Sequence, residues 1–298
     1  MRNMKGTGEM ATKYQQIVWL SSYPKSGNTW ARCFFDAYFS GSVDINALLT
    51  TVGDDIAARC LPGDGTEPHK LPVDVQVLLR GMGLYRLVNQ YNQSKIDGLP
   101  LIVKTHNAHM LCNGVELLSG CLTKSVIHIV RDPRDVLLSF AKHMGKPIDE
   151  MIDLFCDRLR VIHDKRNPKM SDFISSWSAH VASFANSDTH NVKIFKYEDM
   201  KSDPVKQFYN MLVHAGIQPD IERVQKAVDL VALDQLKRQE AKSGFSESSP
   251  FAKNQFFGDG ATGGWNGKLS QSQVFKIEKA CRSMMKRFDY PFETKAVA

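Results

Sequence analysis

Short apolar runs alternating with helical periodicities predict an α/β protein: a doubly wound, mostly parallel central sheet flanked by helices. Three observations carry this expectation. The runs at 17–22, 101–104, 125–130 and 192–195 are largely apolar without strict alternation, the pattern of strands buried on both faces. The segments between them place apolar residues at helical spacing. Polar motifs follow the first three runs, where an open parallel sheet binds its ligands.

In chain order, residues 1–14 are a polar, flexible leader without the apolar stretch of a signal peptide, and 15–298 read as a single domain. Strand 17–22 leads through a tight turn into a helix over 31–39. Residues 41–72 hold many Gly, Pro and Asp, with weak periodicity at 45–52, and are mostly loop. Val73, Val77, Leu78, Leu84, Leu87, Val88 and Tyr91 predict a helix over 73–93 with a soft spot at Gly81 and Gly83. Strand 101–104 ends in Lys104-Thr105-His106, and a short helix over 115–118 precedes strand 125–130. Asp132 as N-cap and Pro133 in the first turn start a helix through about 143. Helices are expected over 148–164 and 172–185, then strand 192–195, then helices over 204–215, 220–231 and 233–241. Residues 242–264 show no period and form a long loop, a feature that usually serves function. Ser270 with Gln273 reads as the capping box of a last helix through 288.

Composition narrows the function classes. The 298 residues are 43% hydrophobic and 23% charged, an ordinary globular balance. A net charge of +6, with no run of five like charges, suits a polyanionic small ligand and is too diffuse to indicate nucleic acid. The six cysteines form no C-x-x-C pair and no histidine spacing suggests zinc, so no metal is expected, and the thiols read as reduced, in a cytoplasmic protein. No window approaches 18 apolar residues, so no membrane anchor is expected.

The chemistry begins at Tyr23-Pro24-Lys25-Ser26-Gly27-Asn28-Thr29-Trp30. A strand, a tight turn and a helix start present backbone N–H groups to an anion. Gly27 permits close approach, Lys25 supplies a point charge, and Ser26 and Thr29 supply hydroxyls. The stretch is not a Walker A loop, because its lysine precedes its only glycine. An unperturbed histidine is matched to general-base work near neutral pH, which makes His106 the candidate base; a satisfied strand-end histidine is the alternative. Arg131 either binds an anion or pairs with an acid at the helix start. Trp30 either stacks on a base or belongs to the core.

P-K-S-G-x-T-W after a strand resembles the 5′-phosphosulfate loop of the soluble sulfotransferases, which move a sulfuryl group from 3′-phosphoadenosine 5′-phosphosulfate (PAPS) to a hydroxyl or amine, leaving 3′,5′-phosphoadenosine (PAP). The resemblance implies a P-loop-NTPase-like sulfotransferase fold, with Lys25, Ser26, Gly27, Asn28 and Thr29 at the phosphosulfate and Trp30 on the adenine. It extends to Arg131-Asp132-Pro133-Arg134-Asp135 with Ser139, which implies that Arg131 and Ser139 bind the 3′-phosphate, while Arg134 faces solvent or a carboxylate. Lys-Thr-His implies His106 as base and Lys104 steadying the transferring group. Tyr197-Glu198-Asp199-Met200 implies Tyr197 near the adenine, unless it packs beneath a loop. The family's R-K-G-x-x-G-[DG]-W motif survives as Gly260, Gly263, Gly264 and Trp265, with Gly258 and Asp259 replacing the basic pair; Lys253 or Lys268 is the available substitute.

Expected, then, is a PAPS-dependent sulfotransferase acting on a small-molecule acceptor, needing no metal and no membrane, with its oligomeric state open. Leu84, Tyr85, Met144, Phe155, Phe245 and Phe251 are expected in the acceptor walls, and His109 and His143 either line that pocket or lie on the surface. The alternatives are a PAP- or PAPS-binding protein with weak or no transferase activity, and an ATP-dependent kinase. ATP would leave Arg131 and Ser139 without a purpose.

Overall fold

A computed structural model describes residues 16–55, 68–94, 99–162, 170–249, 251, 255–258 and 260–294. The leader expected over 1–14 lies outside them. The central strand β1, Ile17–Ser22, is entirely buried. Its register to β3 (Leu101–Thr105) and β6 (Thr123–Val130) is parallel on both sides. β2 (Thr51–Gly53) extends the sheet beyond β3, and β9 (Val192–Lys196) beyond β6, giving a five-stranded parallel sheet of order β2-β3-β1-β6-β9.

Side-chain alternation splits β1 between two cores. Val18 and Leu20 pack with Phe34, Phe208 and Met211, from helices α1 (Asn28–Ser40) and α7 (Pro204–His214). Ile17 and Trp19 pack with Leu84 and Val88 of α2 (Val73–Ser94) and Phe184 of α5 (Trp177–Ala185). A third cluster joins Tyr23 to Val136 and Phe140 of α3 (Pro133–Met144), Met151 of α4 (Ile148–Cys156) and Ile277 of α10 (Gln271–Arg287). Helices thus cover both faces, the doubly wound arrangement. From β1 the chain builds toward β3 on one side and β6 on the other, so a crevice opens beyond the carboxyl end of β1. No described helix is long and apolar enough to cross a membrane.

Local signals set several boundaries as expected. Asp132 accepts a hydrogen bond from the Arg134 amide (2.9 Å), with Pro133 beside it. Ser270 and Gln273 form the complete capping box. The helix across Gly81 and Gly83 is continuous.

Elsewhere the structure corrects the sequence reading. Thr51–Gly53, placed in a loop, pairs with Ile102 to Lys104 as an edge strand; three residues are too few to show a period. The expected helix over 115–118 is instead a hairpin: Leu111–Cys112 (β4) pairs with Val115–Glu116 (β5) around Asn113 and Gly114, with φ of 49° and 80°. Asn-Gly is the dipeptide such turns favour. The helix expected through 164 stops at Cys156, and Val161–Ile162 (β7) pairs with Asp172–Phe173 (β8) where helix was expected. Ser175, at φ 57°, turns the chain, and the Ser176 hydroxyl accepts from the Ala179 amide to start α5. A short helix α6 (Tyr197–Ser202) follows β9, and α8 (Ile221–Leu230) and α9 (Leu233–Ser243) come between α7 and the last helix, α10.

Candidate active site

The crevice is a cavity of about 1260 Å³. Lys25, Gly27, Asn28, Thr29, Trp30, Lys104, His106, Arg131, Ser139, Tyr197 and Gly260 all line it, so motifs far apart in sequence meet in one place. Ser26 does not reach its surface: the residue is 0% exposed and its hydroxyl has no partner among the described residues.

The loop between β1 and α1 turns through two residues of positive φ. Lys25 adopts φ 69° and Gly27 φ 108°. The former costs a non-glycine residue on the order of 1 kcal/mol. The latter also leaves room for a neighbour, since a Cβ on Gly27 would stand 2.7 Å from Cδ2 of Tyr197. Asn28 begins α1, and its Nδ2 donates to the Leu20 carbonyl (3.1 Å) and Ser22 Oγ (3.3 Å), tying the helix start to the end of β1. Lys25 Nζ lies 3.5 Å from the centroid of the Phe256 ring. Burial, with help from the nearby Arg131 charge, brings its ammonium down to about 7.

Arg131 leaves the end of β6 and stacks over Tyr197, 4.3 Å from its centroid. Its Nη2 donates to the Ala261 carbonyl (2.9 Å) and its Nη1 to the Lys25 carbonyl (3.3 Å), while its buried Nε has no partner. An orphaned guanidinium N–H and a helix N-terminus around one loop fit a multiply charged phosphate ligand. Tyr197 donates to the Gly260 carbonyl (3.3 Å). Trp30 packs into the core and also lines the cavity: its Nε1 donates to the Val231 carbonyl (3.0 Å) and its ring meets Phe208 edge-on.

His106 sits one strand over. Its Nδ1 is 2.8 Å from the Ser22 carbonyl. A carbonyl only accepts, so Nδ1 carries the proton and Nε2 keeps its lone pair. Burial and then the Lys104 charge hold the imidazole well below its usual pKa, so it is neutral at pH 7. His180, fully buried, contacts the His106 carbonyl through Nε2 (3.2 Å) and fixes the backbone there.

Several contributors carried no sequence signal recognised as functional. Asp135, inside the Arg-Asp-Pro-Arg-Asp motif, accepts from the amides of Gly263 (2.8 Å) and Trp265 (3.0 Å), fastening the glycine-rich segment to α3. Glu240 accepts from the amides of Phe256 and Phe257, holding the loop that carries Phe256 over Lys25. Lys142, Lys146, Lys201 and Lys268 line the cavity, as does Gly258; Lys253 and Asp259 lie outside the described residues.

Other expectations are resolved or corrected. Of its two expected surroundings, solvent or a carboxylate, Arg134 takes the second: it is 1% exposed, paired with Asp132 (2.7 Å) and Glu278 (2.8 Å) beneath Trp265. Of the expected acceptor walls, Met144 and Phe251 line the cavity. Leu84, Phe155 and Phe245 are core residues, and Tyr85 lies exposed on α2. His143 lines the cavity, whereas His109 packs against His190.

A parallel sheet whose central strand opens into a lysine-bearing anion loop, with a histidine one strand away, defines a P-loop-like transferase. The sulfotransferase domain family matches residues 15–289, and the chain belongs to it: it is a sulfotransferase. It is similar to cytosolic sulfotransferase 17 of Arabidopsis thaliana, 25% identical over 278 residues, covering 86% of this chain and 70% of that protein. It is also similar to flavonol 3-sulfotransferase of Flaveria bidentis, 24% identical over 284 residues, covering 88% and 79%. Among solved structures, retinol dehydratase in complex with androsterone and inactive cofactor PAP aligns with a TM-score of 0.57 at 16% identity, covering 97% of this chain and 87% of that one. Mouse sulfotransferase SULT7A1 complexed with PAP aligns with a TM-score of 0.57 at 17% identity, covering 95% and 90%.

Proposed function

We propose that residues 15–298 act as one sulfotransferase unit that moves a sulfuryl group from PAPS to a hydroxyl or amine of a small molecule, with His106 as general base. PAPS supplies the sulfuryl group when bound. Lys25 and the backbone amides of the loop hold its 5′-phosphosulfate, Arg131 and Ser139 its 3′-phosphate, and Trp30 and Tyr197 its adenine, with the Gly260 backbone beside them. Lys268 stands in for the basic pair replaced at Gly258 and Asp259, since it lines the same cavity.

The observation that carries the reading is the His106 tautomer. The Ser22 carbonyl takes the proton-bearing Nδ1, leaving Nε2 free to receive the acceptor's proton as its oxygen or nitrogen bonds to sulfur. The Lys25 and Lys104 ammonium groups stabilise the charge that develops as the sulfate–phosphate bond breaks, work done by position and electrostatics. The cytosolic names of relatives and the free thiols of Cys33, Cys112, Cys121, Cys156 and Cys281 support a cytoplasmic setting.

His106→Ala tests the assignment. Transfer should fall by roughly 10²–10⁴-fold, the worth of a positioned base, while PAP affinity measured calorimetrically stays within about twofold, because the base touches none of the proposed nucleotide contacts. Full activity in that variant would overturn the role of His106. PAP binding by the wild type without transfer to any acceptor would favour the nucleotide-binding alternative raised by Gly258 and Asp259.

A further inference from the structure

The wall of the cavity around the proposed base is acidic. Asp54, Asp55 and Asp172 line it together with Lys104 and His106. Topology brings them there from three segments. The Asp54 amide donates to the Lys104 carbonyl (2.9 Å) just beyond β2. Phe173, next to Asp172, donates its amide to Asn107 Oδ1 (2.8 Å) and accepts from the Ala108 amide (2.9 Å), so β8 runs alongside the residues that follow His106.

Of these carboxylates, Asp54 and Asp172 differ in how they are satisfied. Asp54 is 5% exposed, and its partners converge on one oxygen: Oδ2 accepts from Thr105 Oγ1 (2.6 Å) and Asn107 Nδ2 (2.6 Å) and pairs with Arg80 Nη1 (2.9 Å). Its Oδ1 accepts nothing from the described residues, although it belongs to a side chain lining the cavity. Asp172 is half-buried and its carboxylate accepts no hydrogen bond among the described residues. Burial and then the Asp54 charge raise its carboxyl to about 6, opposed by Lys104 and Arg80, so it is mostly ionised above pH 7.

Charge accounting makes the wall selective. Arg80 answers Asp54 and is itself shared with the Ser171 carbonyl (2.8 Å). Among the described residues, Lys104 is the cation that lines the cavity beside these carboxylates, and on the sulfuryl-transfer reading it turns to the transferring group. A neutral acceptor would then bury Asp54 Oδ1 and Asp172 without a counter-charge, whereas an ammonium or guanidinium would answer both. Of the apolar walls expected from sequence, Met144 and Phe251 line the cavity, whereas Leu84, Phe155 and Phe245 do not reach it, and none of these carries a charge that answers the carboxylates.

We propose that the acceptor is a cation, an ammonium- or guanidinium-bearing hydroxyl or amine compound, whose positive group is received by Asp172 and the free oxygen of Asp54, with Asp172 the specificity-determining residue. This rests on the sulfuryl-transfer reading and adds to it.

The matched pair tyramine and tyrosol, which share a phenol and differ by ammonium against hydroxyl, tests it. Saturation with PAP comes first, and PAP binding is itself measured. The PAP-loaded protein is then titrated with each compound at pH 7.5. Tyramine should bind at least tenfold more tightly than tyrosol, and Asp172→Asn should abolish that preference while PAP affinity stays unchanged. Asp172→Ser serves as a second variant if the first loses PAP affinity. Equal affinities, tighter tyrosol, binding of neither compound, or a preference that survives in the variants would overturn the cationic acceptor and leave sulfuryl transfer standing. Failure of the wild type to bind PAP would overturn the underlying reading, and this inference with it.

Discussion

At the residue scale, Lys25 is where chemistry and stability oppose each other. Its ammonium comes down to about 7 through burial and the Arg131 charge. The cation is what attracts the phosphosulfate, so kcat/KM for PAPS should decline as pH rises through about 7. On the acid side it should stay flat to well below pH 6.5, because His106 remains neutral there. A pH–rate profile that instead rose from pH 7 to 9 would exclude Lys25 as a required cation. The sign for folding is the reverse. A lysine whose folded-state pKa is depressed binds more protons when unfolded, so between about 7 and its ordinary value its contribution to stability grows with pH. Lys25→Met should therefore raise the melting temperature near neutral pH while abolishing transfer. The motif residues Lys25, His106 and Arg131 were legible in sequence because each sits within a few residues of a strand end. Asp54 and Asp172 were not, since neither neighbours a recognisable motif and only the packing of β2 and β8 beside β3 brings them to the histidine.

At the scale of elements, most helices were legible because their caps and apolar faces are local properties. The misread pieces depend on partners. Thr51–Gly53 is a strand only because Ile102 to Lys104 offer an open edge. The segment after Cys156 leaves the helix where Asp157 Oδ1 accepts from the Leu159 amide (2.8 Å), a local turn that competes with helix. The hairpin at Asn113-Gly114 was readable, and the apolar residues beside it masked the turn signal. α3 carries the element with most at stake, because its first turn holds Asp135. Asp135→Ala removes both acceptors from the Gly263 and Trp265 amides, each bond worth about 1.5–3 kcal/mol where the partner is charged. The 260–265 segment should become cleavable by limited proteolysis and PAP affinity should fall at least tenfold, with far-UV circular dichroism unchanged. An uncleaved segment with normal affinity would show that other contacts hold it.

At the scale of the whole molecule, three cores meet around one crevice, and a buried ionic node ties the last helix to the exit of β6. Arg134 joins Asp132 to Glu278, and Glu278 also accepts from the amides of Glu293 (2.9 Å) and Thr294 (3.0 Å). Removing one partner of such a buried pair strands the other, a cost of about 3–5 kcal/mol. Glu278→Ala should lower unfolding free energy by that order in urea titrations, and saturation with PAP at a hundred times its Kd should restore about 2.7 kcal/mol. A variant as stable as the wild type would remove the node from the account of stability. The Asp135 contacts reach further, into what evolution can exchange. The glycine-rich segment is held by a carboxylate 128 residues earlier in the chain, so a segment transplanted from a relative keeps its shape only where the recipient supplies the same two acceptors. The rim at Gly258 can therefore change without touching the carboxylate that pins the segment, so rim and hinge pin are separable parts of one site.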